Sequence, residues 1–515
     1  MPRATANRAM PSPVVEDQSE TIAMLADPAS HGGAEVERIE THASIVVLAG
    51  DCAYKLKRAV HFPFLDYGTV ARRKRACRDE VALNRRTAPT LYRGVAPIVR
   101  RGKLRLGALG EDPADAVDWV VVMCRFDQAT LFDRLAEGGR LTRDLVERAA
   151  NAVARFHGAA ERRFGADGTS TLAWVIDDNV AELGDEALLA GKVDRLARLC
   201  RAALERNRAL LDARSRAGFV RVCHGDLHLR NLCMIDGEPT AFDAIEFNER
   251  LTVIDVFYDL AFLLMDLEHR SLRDLANAAL NRWLDATDDV EGLALLPLFL
   301  GLRAAVRAKV GAVSARLTGK PSTEPAAYLD LALGFLEPAA PVLVAIGGLS
   351  GTGKSTLARA LAPAIGPAPG ALLTRSDVVR KRLFGVAETE PLPHAAYAAE
   401  ATTRVYGVVR ARTDRAIRAG HGAIADAVHA RPEERAAIEA VARDAGARFI
   451  GLWLEAPEPT LIERVETRRG DASDAGAGVV RAQLAYDVGA IGWHRLDANV
   501  EPERTLALAL VAAGA

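Results

Sequence analysis

The chain has 515 residues, 50% hydrophobic and 26% charged, and its 66 Lys+Arg against 68 Asp+Glu leave a net charge of −2. That length exceeds what one hydrophobic core serves, so two or three domains are expected. The near-neutral balance excludes a bulk field that would draw the protein to nucleic acid or to a membrane surface, and the six cysteines, none in a C-x-x-C pair, read as reduced thiols of a cytoplasmic protein.

Residues 1–13 lack the apolar segment of a secretory signal, and 1–29, polar and punctuated by proline, is expected to be a mobile tail leading into a first helix. Strand-like runs follow at 43–48, 53–57 and 119–123, interrupted by a helical stretch at 70–86. Amphipathic helices are expected over 131–217, a short strand at 219–223, and helices again over 255–336. The most apolar stretch, 293–313, is broken by Arg303, Arg307 and Lys309, so no membrane span is expected. The Pro-Ala-Ala-Pro segment at 338–341 reads as a linker, dividing the chain into domains at 30–337 and 338–515.

Within the first domain His224-Gly225-Asp226-Leu227-His228-Leu229-Arg230-Asn231 fits the H-x-D-x-x-x-x-N loop of kinase-like phosphotransferases. There Asp226 can accept the proton of an acceptor hydroxyl, and Asn231 reaches back to a Mg²⁺ ion. Asp243, at the end of the next strand, suits the second metal ligand. Such a site needs a phosphate-binding lysine on a small sheet and a helix glutamate to hold it. Arginine is the default cation of this chain, with only nine lysines, so Lys55 and Lys57, alternating onto one face of a strand, carry weight. Lys55 fits the pattern best, Lys57 is the reserve, and Glu80 is the expected partner.

Residues 54–57, 64–66, the 224–231 loop and Asp255-Val256-Phe257-Tyr258-Asp259-Leu260-Ala261 together resemble the aminoglycoside phosphotransferase-like family. The resemblance implies an α+β protein-kinase-like domain, ATP with Mg²⁺, and a small hydroxylated acceptor such as a sugar, amino sugar or choline-like alcohol. It also implies that Asp259, less surely Asp255, braces the catalytic loop. No glycine-rich G-x-G-x-x-G loop precedes Lys55; Thr41-His42-Ala43-Ser44 stands there.

The second domain opens with an apolar run at 341–346 and then Gly348-Leu349-Ser350-Gly351-Thr352-Gly353-Lys354-Ser355, a complete G-x-x-x-x-G-K-[ST] phosphate loop. Gly348, Gly351 and Gly353 free backbone N–H groups to close around phosphates, Lys354 supplies charge, and Ser355 offers a hydroxyl to Mg²⁺ at the start of a helix that continues with Thr356. Strands at 371–374, 423–425 and 449–454 alternate with helices, which predicts an α/β P-loop NTPase domain with a parallel sheet. Asp377, at the end of the second strand, can orient or deprotonate an acceptor, Arg380 can bind it, and Asp426 suits a Mg²⁺-water ligand. Arg464 and Arg468 are expected on one helical face, with Arg469 beside them, in a lid that leads into Ser473-Asp474-Ala475. These features resemble the small P-loop kinases. His421, His429 and His494 fit no metal template.

The pattern predicts a bifunctional ATP-dependent phosphotransferase with one site per domain. The alternatives are one active kinase with a nucleotide-binding regulator, or a polynucleotide-kinase-like or zeta-toxin-like activity in the second domain. Neither the acceptors nor the oligomeric state is legible.

Overall fold

The computed structural model describes residues 14–514 other than 42, 63, 64, 185, 187, 188, 321 and 469. Phe64 and Arg469 therefore lie outside the described residues, as does the first part of the expected tail. Its second part is structured, against expectation: helix α1 (Ser19–Ala26) buries Leu25 completely. Gln18 ties it down by donating to Asp118 Oδ2 at 2.7 Å and accepting the Ala59 N–H at 2.7 Å.

By its contacts the chain forms two compact units: one runs to Gly168 and resumes over Arg214–Asp259, the other holds Thr169–Ala213 and everything from Leu260 on. This division differs from the expected one at 337/338, because helices that precede the linker belong with the phosphate-loop sheet.

The first unit is built on an antiparallel sheet of β1 (Val36–Glu40), β2 (Ser44–Ala49), β3 (Cys52–Lys57), β4 (Tyr92–Arg101), β5 (Lys103–Leu106) and β6 (Ala116–Cys124), in the order β1-β2-β3-β6-β4-β5. On β3 the pleat sends Tyr54 and Leu56 into one core with Ile45, Val47, Val120 and Val122, and Ala53 into another with Cys77, Val81 and Val121. Lys55 and Lys57 share the Ala53 face, and so meet helix α2 (Val70–Asn84), whose Thr69 N-cap accepts the Arg72 N–H. Further on, β7 (Val220–Val222) pairs antiparallel with β10 (Val253–Asp255), and β8 (Leu232–Ile235) with β9 (Glu238–Ala241). The predicted catalytic loop thus spans from β7 to β8, and Asp243 follows β9 directly.

In the second unit β11 (Val342–Gly348), β12 (Leu372–Arg375), β13 (Ala423–Asp426), β14 (Arg448–Glu455) and β15 (His494–Asp497) form a wholly parallel sheet ordered β12-β13-β11-β14-β15. The sequence reading missed β15, a short strand with three of its four residues exposed. Helix α6 (Lys354–Leu361) packs Leu357 and Leu361 against Val344, Ile346 and Ile424. The edge of β12 is not open. Asn281, on helix α5 (Arg273–Thr287), accepts the Leu373 N–H at 2.6 Å and donates to Ala371 O at 3.1 Å, as a neighbouring strand would, and Asn277 donates to the same carbonyl at 3.1 Å. Ion pairs reinforce this contact, among them Arg412–Asp285 at 2.8 Å and Arg415–Glu291 at 2.6 Å. Among the described residues no helix is long and apolar enough to cross a membrane.

Candidate active sites

In the first unit the two lysines share one glutamate. Lys55 Nζ donates to Glu80 Oε1 at 2.9 Å and to Asp243 Oδ1 at 2.5 Å. Lys57 pairs with Glu80 and with Glu246, and Tyr67 donates its hydroxyl to Glu246. Burial alone would lower both lysine pKa values. Asp243 and Glu80 outweigh it at Lys55, and Glu246 and Glu80 at Lys57, so both stay charged. The same lysines overcome the burial of Glu80 and hold its carboxyl well below its usual range. Lys57 is 2% exposed and Asp243 42%. Lys57 is therefore an internal clamp, and Lys55 is the lysine that reaches the open carboxylate.

The candidate catalytic loop is gripped from behind. Asp259, completely buried on helix α4 (Val256–His269), accepts the His224 N–H at 3.1 Å and the Gly225 N–H at 2.8 Å, and its Oδ2 lies 3.1 Å from His157 Nε2. Gly225 has φ +83°, and a Cβ there would stand 2.7 Å from Leu251 O, so only glycine fits this bend. Asp255 makes a two-pronged pair with Arg214, at 2.7 and 2.8 Å, and caps the Phe257 N–H. His224 donates from Nε2 to Phe242 O at 2.9 Å and accepts the Asp226 N–H on Nδ1 at 3.3 Å; burial pushes its pKa down and keeps it neutral. His224 thereby links the Asp226 turn to the strand end that carries Asp243.

Asn231 donates from Nδ2 to Asp226 Oδ2 and to Asp226 O, both at 2.9 Å. Asp243 sits at φ +61° with its N–H on the Tyr92 hydroxyl, and the next amide, Ala244 N–H, is held by Asn84 Oδ1 at 2.8 Å. Glu246, Tyr67, Asn84, Tyr92 and His157 were not singled out from sequence. Each reaches its partner across 100 or more residues.

A set of oxygen donors from Asn231 and Asp243 suits Mg²⁺. The charge balance agrees: Glu80, Asp243 and Glu246 bring three negative charges against two from Lys55 and Lys57. The buried His157–Cys223–Asp259 cluster could geometrically hold a metal, but Asp259 already serves two loop amides and His157.

In the second unit the phosphate loop lies in a cavity of about 1400 Å³ that Lys354, Ser355, Thr356, Asp377, Asp426 and Arg464 also line. Gly348, Gly351 and Gly353 all have positive φ; at Gly351 a Cβ would meet Leu461 O at 2.6 Å. Lys354 Nζ donates to Leu349 O at 2.9 Å, and Ser355 Oγ to Asp426 Oδ2 at 2.6 Å. Burial lowers the Lys354 pKa, with Asp426 and Asp377 opposing. Ser355 and Asp426 form a hard-oxygen pair that fits Mg²⁺. Asp377, at the first turn of helix α7 (Ser376–Leu383), has its carboxyl pushed up by burial and by Asp426, while Ser473, Lys354 and Arg375 pull it down. Arg375, unremarked in the sequence, is 7% exposed, pairs with Asp471 at 2.7 Å and points Nε toward Asp426 at 3.6 Å.

Two expectations change here. Helix α9 (Glu458–Thr467) stops before Arg468, which turns into an extended conformation. Arg468 is thus the cap of the helix rather than part of it; it lines the same cavity as Arg464 and donates to Ser473 O at 2.9 Å and Ala475 O at 3.0 Å. Arg380 lines the cavity as well, but its Nη1 serves Ala396 O at 2.6 Å and Thr402 Oγ1 at 3.3 Å, and its guanidinium lies over the Tyr397 ring. His429 is buried between Tyr406 and Trp493, and His421 lies against Gly370 O.

The phosphotransferase enzyme family model matches residues 69–296, and the AAA domain model matches 343–487. Among solved structures, a choline/ethanolamine kinase family protein from Mesorhizobium loti is 19% identical, covering 62% of this chain and 93% of its own at a TM-score of 0.39. A gluconokinase from Sinorhizobium meliloti is 18% identical, covering 34% and 93% at a TM-score of 0.26. The Mycobacterium tuberculosis protein Rv2004c and the Mycobacterium bovis protein Mb2027c are each 30% identical over 482 residues, 91% of this chain and 93% of theirs. The chain belongs to the family of these mycobacterial proteins, an ATP-dependent phosphotransferase in which a kinase-like domain precedes a P-loop kinase-like domain.

Proposed function

We propose that the chain is a bifunctional kinase that phosphorylates small hydroxylated molecules at two separate sites, one beside the 224–231 loop and one beside the phosphate loop. The observation that carries this reading is that each site pairs a candidate base with its own charge-neutralising set: Asp226 with Asn231, Asp243 and Lys55, and Asp377 with Lys354, Ser355 and Asp426.

At the first site Asp226 takes the proton of the acceptor hydroxyl while Asn231 holds its carboxylate in place. Lys55 turns its ammonium to the ATP phosphates, with Glu80 fixing its stem. Mg²⁺, held by Asn231 and Asp243, supplies neutralisation of phosphate charge. At the second site the amides of the phosphate loop and Lys354 bind the β- and γ-phosphates, Ser355 and Asp426 suit the metal, and Arg464 closes on the transferring group. The raised pKa of Asp377 brings it nearer the operating pH, which favours proton transfer from an alcohol. Both sites work by positioning and charge neutralisation, so loss of one member is severe.

ADP release from the full chain, measured over a panel of sugars, amino sugars and amino alcohols, tests the reading. Asp226→Ala should remove one acceptor-dependent activity and Lys354→Ala a different one. Loss of the same single activity in both variants would sink the two-site picture.

A further inference from the structure

The loop at 471–475 is latched onto the acceptor side of the second site by both of its aspartates. Asp471 pairs with Arg375 at 2.7 Å. Asp474 accepts from Lys381 Nζ at 2.7 Å, from the Tyr397 hydroxyl at 2.7 Å and from the Leu392 N–H at 3.0 Å. Arg468 clamps the carbonyls of Ser473 and Ala475. Between these anchors the Ser473 hydroxyl hydrogen-bonds the carboxyl of Asp377, and both line the cavity that holds Lys354 and Ser355. An alcohol donating to the candidate base, beside the phosphate loop, is what a bound acceptor would present, and here the chain itself supplies it.

Resting on the reading of Asp377 and the phosphate loop as a phosphoryl-transfer site, we infer that Ser473 is an internal acceptor, phosphorylated in cis by the ATP bound at Lys354. Asp377 takes the proton from Ser473 Oγ, Oγ forms a bond to the γ-phosphorus, the bond from that phosphorus to the β,γ-bridging oxygen breaks, and ADP leaves. The products are phosphoserine, ADP and a proton passed on to solvent. The new phosphate stands beside Asp377 and Asp426, with Lys354, Arg375 and Arg464 lining the same cavity to meet its charge. Ser473 thus occupies the acceptor's place at the candidate base.

The test uses the full chain with Mg·ATP and no added acceptor, read by intact mass, by peptide mapping and by ADP release in parallel. One phosphoryl group is expected on the peptide that carries Ser473, absent in Ser473→Ala, Lys354→Ala and Asp377→Asn, and kept in Ser473→Thr, which guards against a variant that merely misfolds. A phosphoryl group that survives Ser473→Ala overturns the inference. So does Lys354-dependent ADP release from a wild-type chain that stays unlabelled, which leaves the phosphotransferase reading standing. If no Lys354-dependent ADP release occurs with any acceptor, the underlying reading falls with it.

Discussion

Lys55 Nζ lies 2.5 Å from Asp243 Oδ1 and 2.9 Å from Glu80 Oε1, so the lysine proposed for the ATP phosphates closes onto a candidate metal ligand. Its neighbour Lys57 has no such access and neutralises Glu80 and Glu246 inside the fold. The two lysines should therefore fail differently. Lys55→Met should lower Asp226-dependent turnover by about two to three orders of magnitude with little change in melting temperature, as expected for loss of a charge that stabilises the transition state. Lys57→Met leaves the buried Glu246 without its counter-charge and Glu80 with Lys55 alone, and should cost about 3–5 kcal/mol of stability, visible as a large drop in the thermal midpoint. Equal melting losses in the two variants would contradict the division of roles.

Asp259 holds two consecutive N–H groups of the catalytic loop from a fully buried position. Asp259→Ala removes both of these bonds, and at about 1–3 kcal/mol for each buried donor the loop should lose its shape. The expected result is a lower melting temperature together with loss of the Asp226-dependent reaction, while Lys354-dependent ADP release persists. Calorimetry and the two activity assays on one preparation check this.

Asp377 gives a pH signature. Its pKa is raised, first by burial and then by Asp426, so the folded protein favours the protonated form and ionisation costs stability. That cost is absent below the unfolded carboxyl value of about 3.9, grows as pH rises through it, and is complete once pH exceeds the folded value. Asp377→Asn should therefore raise the melting temperature at neutral pH, with the gain shrinking as pH falls toward that value, while abolishing the Lys354-dependent reaction. A variant that melts lower at neutral pH would refute the argument.

Gly351 adopts φ +87° with Leu461 O 2.6 Å from where a Cβ would stand. Gly351→Ala should lose about 1–2 kcal/mol from backbone strain, and more from the contact. It should also weaken binding of an ATP analogue to the second site, measured by titration on an Asp226→Ala background. Unchanged affinity would show that the loop relaxes around the methyl group.

Both sites were legible where their residues are close in sequence. Asp226, Asn231 and Asp243 fall within 18 residues, and the phosphate loop within eight, so local spacing nearly determines local geometry. Lys55 and Glu80 could be matched because strand pleat and helix face each limit where a side chain points. The partners of Lys57 were not legible. Glu246 lies 189 residues away and Tyr67 meets it across 179, distances that only the assembled fold closes. The end of helix α9 at Thr467 was not legible because a run of good helix formers hides it; Arg468, its cap, lines the cavity and takes the Ser473 and Ala475 carbonyls. The tail was misread because Gln18 and Leu25 take their value from Asp118, Ala59 and the sheet, none of which are near in sequence.

Asn281 has a consequence for how this gene can be cut. Its amide completes the edge of the second sheet in place of a strand, and it lies some sixty residues before the proline-rich linker, where the sequence most invites a break. A fragment starting at the linker would carry a bare Ala371–Leu373 edge, the kind of edge that recruits another copy and precipitates. A fragment that begins before Arg273 keeps this border, so the cut that preserves the second sheet lies upstream of helix α5 and not at the linker.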